Sequence, residues 1–180
     1  GQPRAPALPV GSLGQRSARR HRRRAGRRVI GRVGGATGLV GDPRPSGERT
    51  LETKERTAAD VGRIRAQVVT ILGEDAANPA TFVNNLDWTA PLSAIDFLRD
   101  VGKHFRVNRM LAKESVAVRL QSEAGISFTE FSYQLLQGMD FRELYRRFGC
   151  TLQTGGSDQW GNITAGTDLV HRSEGVSVTA

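Results

Sequence analysis

The chain has 180 residues, 38% of them apolar, a size and composition that suit one domain with a modest core. No apolar run approaches the ~20 residues of a membrane-spanning helix, which argues against a helical membrane protein. The single cysteine, Cys150, allows no internal disulfide and suits a reducing, cytoplasmic compartment.

The net charge of +8 is unevenly spread. Residues 1–32 contain ten arginines and no acid, so residues 33–180 carry a net −2. The sequence pI near 10.9 therefore describes the head and not the rest. Residues 1–28 are rich in Arg, Pro, Gly and Ala, with no apolar period, and read as a poorly foldable segment. A basic nucleic-acid arm, a mitochondrial transit peptide and a misread or degenerate stretch of a GC-rich gene compete as readings. The third is preferred, for a reason given below.

Order begins near Val29. Val29 to Val33 reads as a short strand that runs into a glycine-rich loop from Gly34 to Pro43. Residues 51–72 have a helical period, with Val61, Ile64, Val68 and Ile71 on one stripe. Ala80 to Val83 reads as a second strand, followed by the polar run from Asn84 to Trp88. Residues 91–104 repeat the helical period through Leu92, Ile95, Leu98 and Val101. Ser127-Phe128-Thr129-Glu130 is a capping box that opens another helix. Thr151 to Thr154 reads as a strand closed by Gly155-Gly156, with a helix from about Ile163. Strands alternating with helices imply an α/β domain with a mostly parallel sheet over residues 29–180.

Three segments carry candidate chemistry. Tyr133, Gln137 and Asp140 stand at i, i+4 and i+7 of one helix, within about 60° of each other. A solvated polar face is the plain explanation, but such faces usually carry Lys and Glu. A phenol, an amide and a carboxylate on one stripe can together accept hydrogen bonds from an ammonium group or a hydroxyl. The second segment, Gly155 to Asn162, lies between a strand and a helix, where α/β folds bind ligands, and Asp158 there could accept ribose hydroxyls. A plain turn with an N-cap explains it equally well. The third is the glycine-rich loop, where Asp42 before Pro43 is either a turn residue or a carboxylate for an ammonium group. No Gly-Lys-Ser/Thr closes that loop, so it is no Walker A cradle. Cys150 and the three histidines His21, His104 and His171 have neither metal-ligand nor catalytic-partner spacing.

Taken together, several strings resemble the bacterial-type tyrosyl-tRNA synthetase family from about Ala25 to Thr179. They are Val33-Gly34-Gly35-Ala36-Thr37-Gly38, Gly41-Asp42-Pro43, Glu48-Arg49-Thr50, and Asn84-Asn85 with Asp87-Trp88. Further along come Phe97 to Phe105, Ala112-Lys113-Glu114-Ser115-Val116, Gly125 to Tyr133, and Gly155 to Gly166. The resemblance implies an incomplete Rossmann-like class I synthetase catalytic domain that works as a homodimer. Its substrates would be L-tyrosine, ATP with Mg²⁺, and tRNA(Tyr). By the same resemblance, Tyr133, Gln137 and Asp42 would hold the tyrosine ammonium group and Asp140 its phenol hydroxyl. Asn85, Thr37 and Gln159 would line the tyrosine and adenylate pocket, and Gly156 and Asp158 would meet the ATP ribose. Rejection of phenylalanine by a buried group left unpaired is the familiar behaviour of this family.

The head departs from the family pattern. The family's H-I-G-H/N signature would fall at Pro9, Val10, Gly11 and Ser12, so a proline replaces the catalytic histidine. Gln2 and Arg4 replace an aspartate and a threonine of the pocket. Because Val10-Gly11-Ser12-Leu13 and Ala25-Gly26 keep the family register, an added leader is disfavoured against an overwritten head. The K-M-S-K-S-type loop and the tRNA-binding domains would lie beyond Ala180. The expectation is therefore a chain inactive by itself. The alternative is a degenerate, non-catalytic remnant that binds tyrosine or RNA.

Overall fold

A computed structural model describes residues 26–40, 53–72, 78–156 and 159–180. The expected strands appear as β1 (Ile30–Val33) and β2 (Thr81–Asn84). They pair in parallel, Ile30 opposite Thr81 and Val33 opposite Asn84. The ladder continues past both ends, because Thr81 N donates to Val29 O and Asn85 N donates to Val33 O.

The glycine-rich stretch does not remain a loop. Gly35–Val40 forms a short helix, α1. The end of β2 explains it. Asn84 Oδ1 accepts from Gly35 N at 3.1 Å and Asn85 Oδ1 accepts from Ala36 N at 2.8 Å, which satisfies two amides at the helix start. The glycine at position 35 permits this approach, since a Cβ there would lie 2.3 Å from Asn84 Oδ1. The space beside this glycine is thus filled by the protein's own Asn84.

Helix α2 (Lys54–Leu72) follows the expected amphipathic stretch, with Val61, Ile64 and Val68 half-buried. After β2 come α3 (Leu86–Thr89), α4 (Ala94–Asp100), a 3₁₀ turn at Gly102–His104, α5 (Val107–Leu111) and α6 (Glu114–Leu120). Ser93 caps α4 by accepting from Asp96 N. The stripe expected over 91–104 divides in two. Val101 is fully buried, whereas Ile95 is 71% and Leu98 54% exposed. A helical period marks a face, and nothing in one chain's sequence says what covers it.

The longest helix, α7 (Phe128–Phe148), starts as the capping box requires: Ser127 Oγ accepts from Glu130 N at 3.3 Å. Glu130 does not reach back to the Ser127 amide in the usual reciprocal bond. Its carboxylate pairs instead with Arg119 on α6 at 2.9 Å, with both side chains almost completely buried. The last helix, α8 (Trp160–Glu174), crosses α7 closely. A Cβ at Gly166 would lie 2.9 Å from Phe141 Cβ. The core gathers here, with Leu135, Met139, Phe141 and Leu144 of α7 against Leu169 and Val170 of α8. Val83, Trp88, Val101 and Met110 join the same cluster.

Among the described residues, the strand expected at Thr151–Thr154 shrinks to one parallel bridge between Leu152 and Thr179. Gln153 N donates to Thr179 O and Thr179 N donates to Thr151 O. A strand extends only as far as its neighbour does, and here the pairing ends within two residues.

Candidate functional site

The polar stripe of α7 turns inward. Tyr133 and Gln137 are buried, and Asp140 is only 1% exposed. Burial removes the solvated-face reading and leaves a polar cluster that must find partners inside the protein. Gln137 Nε2 donates to Tyr133 Oη at 2.8 Å. Asp140 accepts from Trp88 Nε1 at 2.9 Å on one oxygen and from Asn85 Nδ2 at 3.0 Å on the other. Asn85 Nδ2 also lies 3.2 Å from Thr37 Oγ1. Helices α1, α3 and α7 and the end of β2 thus converge on one carboxylate.

Five residues singled out from the sequence therefore share one hydrogen-bonded network: Tyr133, Gln137, Asp140, Asn85 and Thr37. Its two halves, Tyr133–Gln137 and Thr37–Asn85–Asp140, are tied by a residue that sequence reading missed. Arg32, on β1, donates to Asp140 Oδ2 at 2.5 Å and to Gln137 Oε1 at 3.1 Å. The available signal was strand alternation: Ile30 and Arg32 share the half-buried face of β1, opposite Gly31 and Val33. Trp88 stood within a quoted string but carried no assigned role. It is buried, bonded to Asp140 and covered by the Arg147 guanidinium at 5.5 Å.

Burial pushes the Asp140 carboxyl above the ordinary carboxylate range, while Arg32, Asn85 and Trp88 oppose that rise. The cluster can supply an acceptor for a hydroxyl or an ammonium group, held by rigid helices and shielded from water.

Gln159 and Gly156 lie at the start of α8 and are joined to each other, Gln159 N donating to Gly156 O at 2.9 Å. Gln159 Oε1 accepts from Asn162 Nδ2. Asp42 and Asp158 lie outside the described residues, as do Pro9, Val10, Gly11 and Ser12. Cys150 is half-buried and burial pushes its thiol up, so it is a poor nucleophile.

A second feature had no sequence signal. A cleft among α5, α7 and α8 is lined by His104, Arg106, Arg109, Lys113 and Arg172, with the Gln134 amide at its wall. Burial and the nearby Lys103, Arg142 and Arg172 charges push His104 below the ordinary histidine range.

The sequence pattern of the family described as tRNA synthetases class I (W and Y) matches residues 1–177. The chain belongs to this family. The match includes the arginine-rich head as well as the strings that begin near Ala25. Relatives include tyrosine–tRNA ligases of Streptomyces avermitilis, 64% identical over 96% of the chain, and Leifsonia xyli, 61% identical over 96%. One from Bifidobacterium longum is 56% identical over 98%. The chain spans about two-fifths of the length of these relatives. Among solved structures, a C-terminally truncated mitochondrial tyrosyl-tRNA synthetase from Aspergillus nidulans matches with a TM-score of 0.76. Its sequence is 31% identical, and the match covers 93% of this chain and 50% of that one. The fold is thus that of class I synthetases, as the family resemblance implied, here with a two-stranded parallel sheet among the described residues.

Proposed function

We propose that this chain carries the amino-acid pocket of a tyrosine–tRNA ligase. The observation that carries the reading is the buried Tyr133–Gln137 and Asp140–Asn85–Thr37 network, set in a family whose related members bear that activity. In the reaction the tyrosine carboxylate attacks the α-phosphate of ATP and pyrophosphate leaves. A terminal tRNA hydroxyl then attacks the activated carbonyl and AMP leaves.

Tyr133 and Gln137, with Asp42, would hold the tyrosine ammonium group, and Asp140 would accept from the phenol. Asn85, Thr37 and Gln159 would line the pocket, and Gly156 and Asp158 would contact the ribose. Adenylate formation depends mainly on positioning and charge stabilisation, which suits a site of fixed hydrogen-bonding groups. No three His, Cys, Asp or Glu side chains converge among the described residues. Mg²⁺ would therefore enter on the ATP phosphates, its usual carrier. The basic cleft beside His104 offers cations to tRNA phosphates. The exposed Ile95, Leu98, Val107, Leu111 and Phe128 supply an apolar surface for a second copy, while Phe131 packs on the core. No described helix is long and apolar enough to cross a membrane. We place the protein in the cytoplasm. We divide the chain into an atypical head, 1–28, and a partial catalytic domain, 29–180. The 180-residue chain alone should not catalyse the reaction.

The test is exchange of labelled pyrophosphate into ATP by the intact product of the gene, with tyrosine and tryptophan compared. Stimulation by tyrosine supports the reading. Stimulation by tryptophan alone, or by neither, overturns it.

A further inference from the structure

The Arg32 guanidinium occupies two acceptors of the polar stripe. Its two bonds end on Asp140 Oδ2 and Gln137 Oε1, acceptors of the proposed pocket. Among the described residues three donors reach Asp140, and they differ in freedom. Asn85 is fully buried, tied to Thr37 and to the start of α1. Trp88 is a buried ring of the core cluster. Arg32 is a long, flexible side chain, 21% exposed, on a short strand. Of the three, Arg32 is the donor that can leave without dismantling the fold.

We propose that Arg32 is an internal competitor for the amino-acid pocket, which tyrosine must displace from Asp140 and Gln137 in order to dock. This rests on the reading of Tyr133, Gln137 and Asp140 as the tyrosine pocket. Two consequences follow from the chemistry. Displacing a charge-assisted, two-armed contact weakens tyrosine binding. Discrimination against phenylalanine also falls, because that discrimination depends on a buried acceptor being left unpaired when the hydroxyl is missing. When phenylalanine enters, Arg32 can stay on Asp140 Oδ2, so the acceptor site that the tyrosine hydroxyl would use is not left empty. Arg32 is a specificity-determining residue and takes no part in the bond-making steps.

The experiment is equilibrium dialysis of the full 180-residue chain against labelled L-tyrosine and L-phenylalanine, comparing the parent with Arg32→Leu and, as a more conservative change, Arg32→Gln. Circular dichroism establishes that each variant is folded. Arg32→Leu should bind tyrosine at least about tenfold more tightly and should prefer it over phenylalanine more strongly than the parent does. Equal tyrosine affinity in the parent and in folded variants, still lost on Asp140→Ala, overturns the competitor role and leaves the pocket reading intact. No tyrosine binding by any folded variant overturns both. Should neither variant fold, the unaltered chain still decides. Its Arg32 Nε–H resonance, assigned with Arg32→Lys, should shift when tyrosine saturates the protein, and an unmoved resonance at saturation overturns the proposal.

Discussion

Trp88 donates its indole N–H to Asp140 across 52 positions of sequence, at 2.9 Å, with both side chains buried. This bond anchors the four-residue helix α3 to the middle of α7 and fixes one oxygen of the central carboxylate. The other oxygen then faces Asn85 and Arg32. The orientation of the candidate pocket is therefore set by a residue outside the polar stripe.

Trp88→Phe keeps most of the buried ring and removes the donor. It should lower unfolding stability by about 2 kcal/mol, the usual scale for a hydrogen bond to a charged group. Urea denaturation of parent and variant measures this, and a loss below about 0.5 kcal/mol would remove the bond from the account.

Asp140 should give stability a distinctive pH dependence. Burial holds its folded value above the ordinary carboxylate value, so the folded state binds the proton more tightly than the unfolded chain does. Its contribution is then greatest at low pH and declines as pH rises from the unfolded value through the folded one. Asp140→Asn should flatten that segment of the stability profile. An unchanged slope above about pH 4 in the variant, by denaturant titration at stepped pH, would assign the slope to other groups.

Gly166→Ala should separate the two longest core-forming helices. The added methyl would meet Phe141 Cβ at 2.9 Å, and Phe141 is fully buried. The expected cost is about 1–3 kcal/mol of overpacking. Thermal unfolding measures it, and an unchanged midpoint would mean that α8 shifts freely on α7.

Arg119 and Glu130 join α6 to the first turn of α7 with side chains 3% and 2% exposed. Arg119→Ala strands a buried carboxylate and should cost about 3–5 kcal/mol. Replacing both residues by apolar ones of similar volume should recover most of that loss. A double variant as unstable as the single would contradict this, since the stranded charge would not be the cause.

Much of the arrangement was legible because local rules dictate it. The seven-residue reach of Tyr133, Gln137 and Asp140 on one face follows from helical pitch, and the start of α7 follows from the Ser127 hydroxyl and the Glu130 amide. The parallel pair β1–β2 follows from two short apolar runs separated by a helical crossover. Other features had no local signature. Gly34 to Val40 contains residues typical of a loop, yet Asn84 and Asn85, distant in sequence, supply the partners that let it coil. Thr151 to Thr154 has strand-forming residues, yet among the described residues its strand pairing is the single bridge of Leu152 to Thr179. Ile95 and Leu98 carry the helical period of a buried stripe and remain exposed.

By itself, then, the sequence determined the order of strands and helices, the polar stripe of α7 and the family resemblance. Each depends on neighbours a few residues apart or on strings read in order. Only the tertiary structure decided that the stripe is buried, that Trp88 and Asn85 hold different oxygens of Asp140, and that Arg32 closes the network. Those contacts join residues 52 to 108 positions apart. Hydrogen-bond partners at that separation are chosen by how helices and strands pack, and no local period in the chain records the choice.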